Sequence, residues 1–305
     1  MIRLGMMAPF ADGLITSGGF LRDLAGTLEE CGVESLWTVE HVAVAESYEP
    51  LYPYAADGRI PGSSGAVPMP DPLETIAFIA GSCDTLRFGT AMMVAPLHSP
   101  VVLAKRAATL DRLTGGRLLL GLGIGWQKEE YAAVGVPYRD RGRRLEEGIG
   151  AMRALWSSSP ASYTGVHCSF EDLHSLPRPA SGAVPVVLGG NSDPAVRRAG
   201  RIGDGWFPYT ITPEDFARQA DLLRDCARRA GRAEDSVEIT VWPGSCSPER
   251  ADDPSWVGRY VAAGAGRLVL SPRIGGADGL AGPRGLDALR EQIDRYRSEV
   301  LEKLS

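Results

Sequence analysis

The strongest constraint on the fold is an alternation of short apolar runs with longer amphipathic runs, repeated along all 305 residues. The short runs have the length and the branched apolar content of buried strands. The longer runs carry helix signals: Asp71 and Thr212 are typical N-cap residues, each followed by proline, and Gly32 is a typical C-terminal stop. Eight strands that alternate with helices predict an α/β fold, a (β/α)₈ TIM barrel. A doubly wound open sheet is the alternative.

The eight predicted strands share an apolar core and are followed by a helical segment. They span residues 2–8, 33–40, 85–95, 117–124, 184–190, 203–209, 236–242 and 267–272.

Two segments are too long for plain barrel connections, and we expect insertions within one domain spanning residues 1–305. Residues 42–70 are rich in Pro, Gly, Tyr and Ser, which favours a lid or binding loop over a second domain. In residues 157–183, apolar and polar residues alternate on either side of Gly165, which predicts a hairpin.

Composition narrows the function classes. A formal net charge of −6 argues against nucleic-acid or membrane-surface partners, and there is no apolar run long enough to span a bilayer. The five cysteines are widely spaced without a Cys-x-x-Cys pair, so we expect neither a disulfide framework nor a metal site. The start of the chain does not read as a signal peptide, and a reduced cytoplasm is the expected compartment.

Three glycines at the end of the fourth strand, Gly121, Gly123 and Gly125, raise the question of a dinucleotide loop. A Gly-x-Gly-x-x-Gly fingerprint follows the first strand of its unit, and Trp126 occupies its last glycine position here, so that interpretation fails. In a barrel, the carboxyl ends of the strands build the active site. The glycines would then allow a planar ligand to approach the backbone, or they would simply fit a tight barrel rim.

A second glycine pair, Gly189 and Gly190, ends the fifth strand just before a helix. Backbone N–H groups in this context bind anions, which favours a phosphate site. The alternative is a plain turn with a helix cap from Asn191 or Ser192.

Glu40 and His41 follow the second strand, at the same predicted rim. Histidine exchanges protons near neutral pH, which suits proton transfer beside a redox ring. Glu40 would assist it or form a salt bridge. The other histidines, His98, His167 and His174, do not stand beside an acid at a strand end and are assigned structural roles.

These features together resemble the luciferase-like monooxygenase superfamily, and within it the branch that uses coenzyme F420, a deazaflavin. The resemblance covers about residues 1–210, and its most specific stretch is LRFGTAMMVAPLHSPVVLAKRAATLDRLTGGRLLLGLGIGWQKEEY. It implies a hydride-transferring oxidoreductase acting on a small organic molecule, with a reducible C=C or C=N bond or an oxidisable alcohol. It also implies a homodimer.

The resemblance implies roles for individual residues. A bulge in the third strand, with a cis peptide between Ala91 and Met92, would back the cofactor ring, and Ile124 and Gly125 would lie along it. His41 would sit next to the reactive carbon. The cofactor phosphate would bind at the end of the fifth strand, at Leu188, Gly189, Gly190 and Asn191.

One departure concerns substrate choice. A related F420-dependent sugar-phosphate dehydrogenase has a glutamate proton donor where this chain has Trp126, so an apolar or aromatic substrate is expected instead. Glu129 and Glu130 are either active-site acids or ordinary acids of a first helical turn.

Other interpretations stay open. A polyanionic cofactor would need a basic cluster, and arginines in two segments could supply one or form a solvated helix face. They are Arg139, Arg141, Arg143, Arg144, Arg197 and Arg198. The alternative activity is an FMN-dependent monooxygenase, and a cofactor-free barrel is the competitor from another class.

Overall fold

A computed structural model of the chain describes residues 2–10, 13–60, 67–273, 279–281 and 284–304. The strands are β1 Arg3–Met7, β2 Ser35–Thr38, β3 Arg87–Thr90, β4 Met93–Val94, β5 Leu118–Gly123, β6 Ala161–Thr164, β7 Ser169–Leu173, β8 Val186–Gly189, β9 Gly205–Phe207, β10 Glu238–Val241 and β11 Arg267–Leu270. The helices are α1 Gly18–Glu30, α2 Pro72–Ile79, α3 Pro100–Leu113, α4 Lys128–Ala133, α5 Arg141–Ser157, α6 Asp193–Ile202, α7 Pro213–Arg229, α8 Pro254–Ala262 and α9 Gly285–Glu299.

The strands close into a parallel barrel. Their order around it is β1, β2, β3, β5, β8, β9, β10 and β11, and β11 pairs back onto β1. The short β4 continues β3 beyond an interruption and pairs with β5. The (β/α)₈ prediction is therefore confirmed, because an open doubly wound sheet would leave two edges unpaired.

The helix signals act as predicted. The Asp71 carboxylate accepts the backbone N–H groups of Leu73 and Glu74 at the start of α2, at 2.8 and 3.2 Å. The Thr212 hydroxyl accepts the N–H of Asp215 at 3.2 Å, at the start of α7. These bonds satisfy N–H groups that have no partner inside a helix.

Large side chains fill the interior of the barrel. Six buried residues from different strands contact one another, which is possible only inside the closed sheet; they are Met7, Trp37, Leu119, Val187, Phe207 and Val269. The Trp37 ring occupies the space left by glycine: a Cβ on Gly89 would lie 2.2 Å from Cε3 of Trp37. The interior is thus a packed core and not a channel.

A buried ion pair closes the amino-terminal end of the barrel. Arg267 begins β11, is fully buried, and donates to both Glu34 oxygens at 2.7 Å. Burial raises the pKa of Glu34, but the two Arg267 bonds outweigh it and hold the pKa below its ordinary value. Since this end carries no reaction chemistry in barrel enzymes, we assign the pair to stability.

Two segments stand outside the minimal barrel. β6 and β7 form an antiparallel hairpin between α5 and β8, within the predicted insertion 157–183. The loop that follows β2 is described over residues 42–60 and 67–70, while 61–66 of the predicted lid lie outside the described residues. Among the described helices, none is long and apolar enough to cross a membrane.

Candidate active site

The carboxyl ends of several strands share a partly exposed surface. β5 is buried through Leu122, whereas residues 123–125 are partly exposed, and β8 changes in the same way at 189–191. Ala91 and Met92, between β3 and β4, are also partly exposed. The sequence-predicted residues of these three strands therefore lie at one region of the barrel mouth.

The interruption of the third strand organises this surface. A cis peptide bond joins Ala91 and Met92, at the position that the resemblance implied. Met92 then lies against the glycines of the next two strands: a Cβ would come within 3.2 Å of Met92 Cβ at Gly123 and within 2.7 Å of Met92 Cγ at Gly189. These glycines are required by the bulge itself, whether or not a ligand also approaches them.

Gly121 has a purely structural reason. A Cβ there would lie 1.7 Å from the carbonyl oxygen of Thr90, and the Thr90 hydroxyl donates to the Gly121 carbonyl at 2.7 Å. Gly125 is different, because its φ of +61° lies in the left-handed region that favours glycine. Gly121 is therefore explained by the interpretation that the glycines fit a tight barrel rim.

His41 is held by Glu130, a buried acid in the first turn of α4. Its Nδ1 lies 3.1 Å from Oε2 of Glu130, whose side chain is fully buried, while the imidazole is 14% exposed. The other Glu130 oxygen accepts the N–H groups of Val42 at 2.6 Å and of Ala43 at 3.2 Å. Glu130 is indeed in the first turn of α4, but its carboxylate belongs to the His41 site.

Glu40 has a separate set of contacts. One oxygen accepts the N–H of Val94 at 2.6 Å, and the other lies 2.9 Å from Nε2 of His98. Its side chain is only 3% exposed. Glu40 therefore joins the end of β2 to β4 and to the start of α3, and sequence reasoning missed His98 because 58 residues separate it from Glu40.

The end of β8 offers backbone groups. Gly190 has a φ of +104°, and its carbonyl accepts Nε1 of Trp206 at 3.0 Å. Ser192 precedes α6 without forming a side-chain cap bond. The Asn191 side chain is occupied elsewhere, since its Oδ1 accepts the N–H of Tyr209 at 3.1 Å. An anion at this helix start would meet N–H groups rather than the Asn191 amide.

Trp126 lies beneath the loop that follows β2. It is 8% exposed, and its ring makes edge contacts with His41, Tyr48 and Tyr52 at centroid distances of 5.9, 5.1 and 5.4 Å. Trp126, predicted from the sequence to shape a substrate pocket, therefore packs against this loop. We call residues 42–60 the lid loop.

Side chains at the start of α4 bind the backbone of the lid loop. Gln127 Oε1 accepts the N–H of Ala45 at 3.1 Å, and Glu129 Oε1 accepts that of Glu49 at 3.0 Å. Lys128 adds an ion pair to the Glu49 carboxylate at 2.6 Å. The stretch that follows the fourth-strand glycines therefore anchors the lid loop.

A series of aromatic contacts connects the lid loop to residues that follow β9 and β10. Tyr52 contacts Tyr54 at 5.5 Å, Tyr54 contacts Tyr209 at 4.9 Å, and Tyr209 contacts Trp242 at 5.7 Å. Burial, with a smaller contribution from Tyr209, raises the pKa of Tyr54 to about 12. Burial likewise raises the pKa of Tyr52. These tyrosines are uncharged at neutral pH, whereas the same loop also carries the charged side chains of Glu49 and Arg59.

The predicted arginine cluster is mostly engaged elsewhere. Arg198 pairs with Glu146 at 3.0 Å, and the Arg141 guanidinium lies 3.8 Å from the centroid of the Tyr138 ring. Arg144 lines a cleft between α3 and α5, which His98 also borders. Among the described residues, the buried Nε atoms of Arg141 and Arg144 have no hydrogen-bond partner.

Comparison with known proteins places the chain in a family. A family model described as luciferase-like monooxygenase matches residues 2–261, and the chain belongs to this family. An uncharacterized protein of Mycobacterium tuberculosis is 30% identical over 205 residues, which is 67% of this chain and 72% of that protein.

Two further similarities concern one relative in sequence and one in fold. The chain is similar to an F420-dependent glucose-6-phosphate dehydrogenase of Kineococcus radiotolerans, at 28% identity over 229 residues, 73% of this chain and 62% of that protein. The fold is similar to that of the monooxygenase RslO1 from Streptomyces bottropensis, with a TM-score of 0.75, 18% identity and 100% coverage of both chains. The chain is an enzyme of the luciferase-like oxidoreductase and monooxygenase group.

Proposed function

We propose that this protein is an F420-dependent oxidoreductase that transfers a hydride between the deazaflavin and a small, uncharged organic substrate. The observation that carries the proposal is His41, whose Nδ1 is held by the buried Glu130 at a rim formed by the bulge and the glycines. A histidine fixed in this way can exchange a proton with a substrate while hydride moves to or from it. Similarity to an F420-dependent relative extends over 73% of this chain.

The residues at the mouth fit the two ends of such a cofactor. Ala91, Met92 and Ile124 offer a partly exposed apolar surface for a planar ring. The turn at Gly190 and the uncapped start of α6 offer N–H groups and the positive end of a helix dipole to a phosphate. When bound, the deazaflavin supplies hydride chemistry that no side chain can provide.

The protein's own part is orientation, proton exchange and exclusion of water. His41 exchanges the proton through Nε2, the ring nitrogen that Glu130 leaves available. We assign Glu40 a positioning role, because both of its oxygens are bound and its contacts hold β4 beside β2. The lid loop excludes water from the mouth, with Trp126 as its support.

The aromatic cover supports an apolar or aromatic substrate. Trp126, Tyr52 and Tyr54 are uncharged and partly or fully buried, so a charged sugar phosphate would lose hydration without gaining a partner from them. Reduction of a C=C or C=N bond, or oxidation of an alcohol, is compatible with this surface. We therefore propose that glucose 6-phosphate is not the substrate.

An FMN-dependent monooxygenase is the second candidate, and the fold similarity to RslO1 along the whole chain favours it. Parallel titrations of the purified protein with reduced F420, reduced FMN and NADPH test the choice. We expect saturable binding of reduced F420 and substrate-dependent change in its visible absorption band without oxygen. Tighter binding of reduced FMN, with turnover that requires oxygen, would favour the monooxygenase.

The role of His41 can be tested with a matched histidine. We expect His41→Ala to lower turnover by about 10²-fold or more, the contribution of a general acid–base group, and to change deazaflavin affinity little. His174, whose Nδ1 contacts the Ser159 hydroxyl at 2.9 Å on the hairpin side, is the control, and His174→Ala should leave both unchanged. Equal losses of turnover and affinity in His41→Ala would contradict the assignment.

A further inference from the structure

We propose that Glu130 is a positioning residue that sets which nitrogen of His41 carries the proton. The inference deepens the proposed function and rests on it only for its catalytic consequence. The carboxylate joins two parts of the mouth, since 89 residues separate Glu130 from His41 along the chain. Its side chain is fully buried, so water does not compete for its oxygens.

The two oxygens of Glu130 have different partners. Oε1 accepts two backbone N–H groups, those of Val42 and Ala43, and backbone N–H groups can only donate. Oε2 faces Nδ1 of His41 at 3.1 Å. An ionised carboxylate has no hydrogen to give, so Nδ1 must donate. Neutral His41 therefore carries its proton on Nδ1, and Nε2 is bare.

The tautomer matters for the reaction. A bare Nε2 accepts a proton from a substrate, whereas an Nε2–H group can only donate one. The bond partner of one ring nitrogen decides the state of the other. Glu130 thus prepares His41 as a proton acceptor, which suits removal of a hydroxyl proton as hydride leaves the same carbon.

The substitution Glu130→Gln reverses the tautomer for a geometric reason. The single amide oxygen must face Val42 N and Ala43 N, because an NH₂ group there would meet two donors at 2.6 and 3.2 Å. The amide NH₂ then faces Nδ1 of His41, which must accept. The proton moves to Nε2, while the two backbone bonds of the lid loop are retained.

Glu129→Gln is the matched control. Glu129 is the preceding residue and also accepts a lid-loop N–H, that of Glu49 at 3.0 Å. It resembles Glu130 in chemistry and in anchoring the same loop. Among the described residues, however, the carboxylate that contacts His41 is that of Glu130.

The experiment is ¹⁵N NMR of the imidazole at alkaline pH, on protein without cofactor, with amide hydrogen exchange at Val42 and Ala43. We expect a protonated Nδ1 in the wild type and in Glu129→Gln, and a protonated Nε2 in Glu130→Gln with unchanged exchange at both amides. A protonated Nε2 in the wild type would overturn the inference without any variant. An unchanged tautomer in Glu130→Gln, or the same change in both variants, would overturn it as well.

Steady-state kinetics in the alcohol-oxidising direction of the deazaflavin reaction, where His41 must accept a proton, supply the second readout. Glu130→Gln should lower kcat by about 10²-fold with little change in KM or deazaflavin affinity, since proton acceptance alone is lost. His174→Ala, the control already used for His41, should retain kcat. The two proposals fail separately: absence of deazaflavin binding contradicts the proposed function, whereas an unaltered tautomer contradicts the role of Glu130.

Discussion

The Met92 side chain lies in the space that the missing side chain of Gly189 leaves open. A Cβ on Gly189 would come within 2.7 Å of Met92 Cγ and 3.4 Å of its sulfur. Gly189 ends β8, and Met92 reaches it from the interruption between β3 and β4. Gly189, which the sequence predicts as a phosphate-binding residue, is therefore also a packing requirement of the bulge.

We expect Gly189→Ala to lower the free energy of unfolding by about 1–3 kcal/mol, the usual cost of overpacking a core position. The clash is with Cγ of Met92, near the backbone, so rotation of the chain end does not relieve it. Gly26→Ala is the control, since no atom lies within 4 Å of a Cβ there, and it should stabilise α1 by about 0.5–1 kcal/mol. Urea unfolding distinguishes them, and equal stabilities would refute the packing account.

The support of the lid loop by Trp126 can be measured by limited proteolysis within residues 42–60. We expect Trp126→Leu to speed cleavage about tenfold, because two tyrosine edge contacts worth roughly 0.5–1.5 kcal/mol each are lost. Trp256→Leu removes a similarly buried indole from α8, 7% exposed against 8%, and should leave this cleavage unchanged. Equal acceleration in both variants would indicate general destabilisation.

The buried pair at the closed end of the barrel should dominate stability among the ion pairs. Arg267→Met removes both 2.7 Å donors of the partly exposed Glu34 carboxylate and leaves it the longer Arg87 contact at 3.4 Å, so we expect a loss of about 3 kcal/mol in denaturant unfolding. Adding Glu34→Gln should restore part of that loss, because the weakly paired charge is then removed. Arg228→Met breaks exposed pairs with Asp225 and Glu234 and should leave stability nearly unchanged.

Acid should weaken one surface contact in a defined pH window. The hydrogen bond from the Thr85 hydroxyl, together with backbone N–H bonds from residues 84–86, lowers the pKa of Glu29 from 4.5 to about 2. The contribution of Glu29 is present above pH 4.5 and is lost as pH falls toward 2, because the folded state resists protonation. The side chain is partly exposed to solvent, which screens the interaction, so the effect should stay below about 1 kcal/mol.

Unfolding measured across that window checks the assignment. Glu29→Gln should show a shallower loss of stability between pH 4.5 and 2 than the wild type. Glu291→Gln, an exposed acid on α9, should follow the wild-type curve. A wild-type slope in Glu29→Gln would contradict the assigned pKa.

Local sequence signals predicted the barrel because they act over a few residues. Caps such as Asp71 and Thr212 satisfy N–H groups of their own helices, so their chemistry is readable from neighbouring letters. The alternation of strands and helices leaves few ways to bury every apolar face. The hairpin within 157–183 was predicted on the same local grounds.

The partners of individual side chains were not readable in this way. Glu130 has the ordinary sequence signature of an acid in a first helical turn, and nothing adjacent to it refers to His41. His98 has no local feature that points to Glu40. Glu40, His98 and Glu130 follow the carboxyl ends of three neighbouring barrel strands, and this recurrence of titratable residues is the signal that could have suggested both pairs, since those ends meet at one mouth.

The sequence by itself determined the order and type of the elements and the family, because periodicity, caps and strand ends are local properties. The tertiary structure alone decided that Met92 fills the glycine cleft, that Trp126 supports the lid loop and that Glu130 takes Nδ1 of His41. Those contacts join residues that are far apart in the sequence and meet only when the barrel closes. No local sequence pattern therefore indicates them.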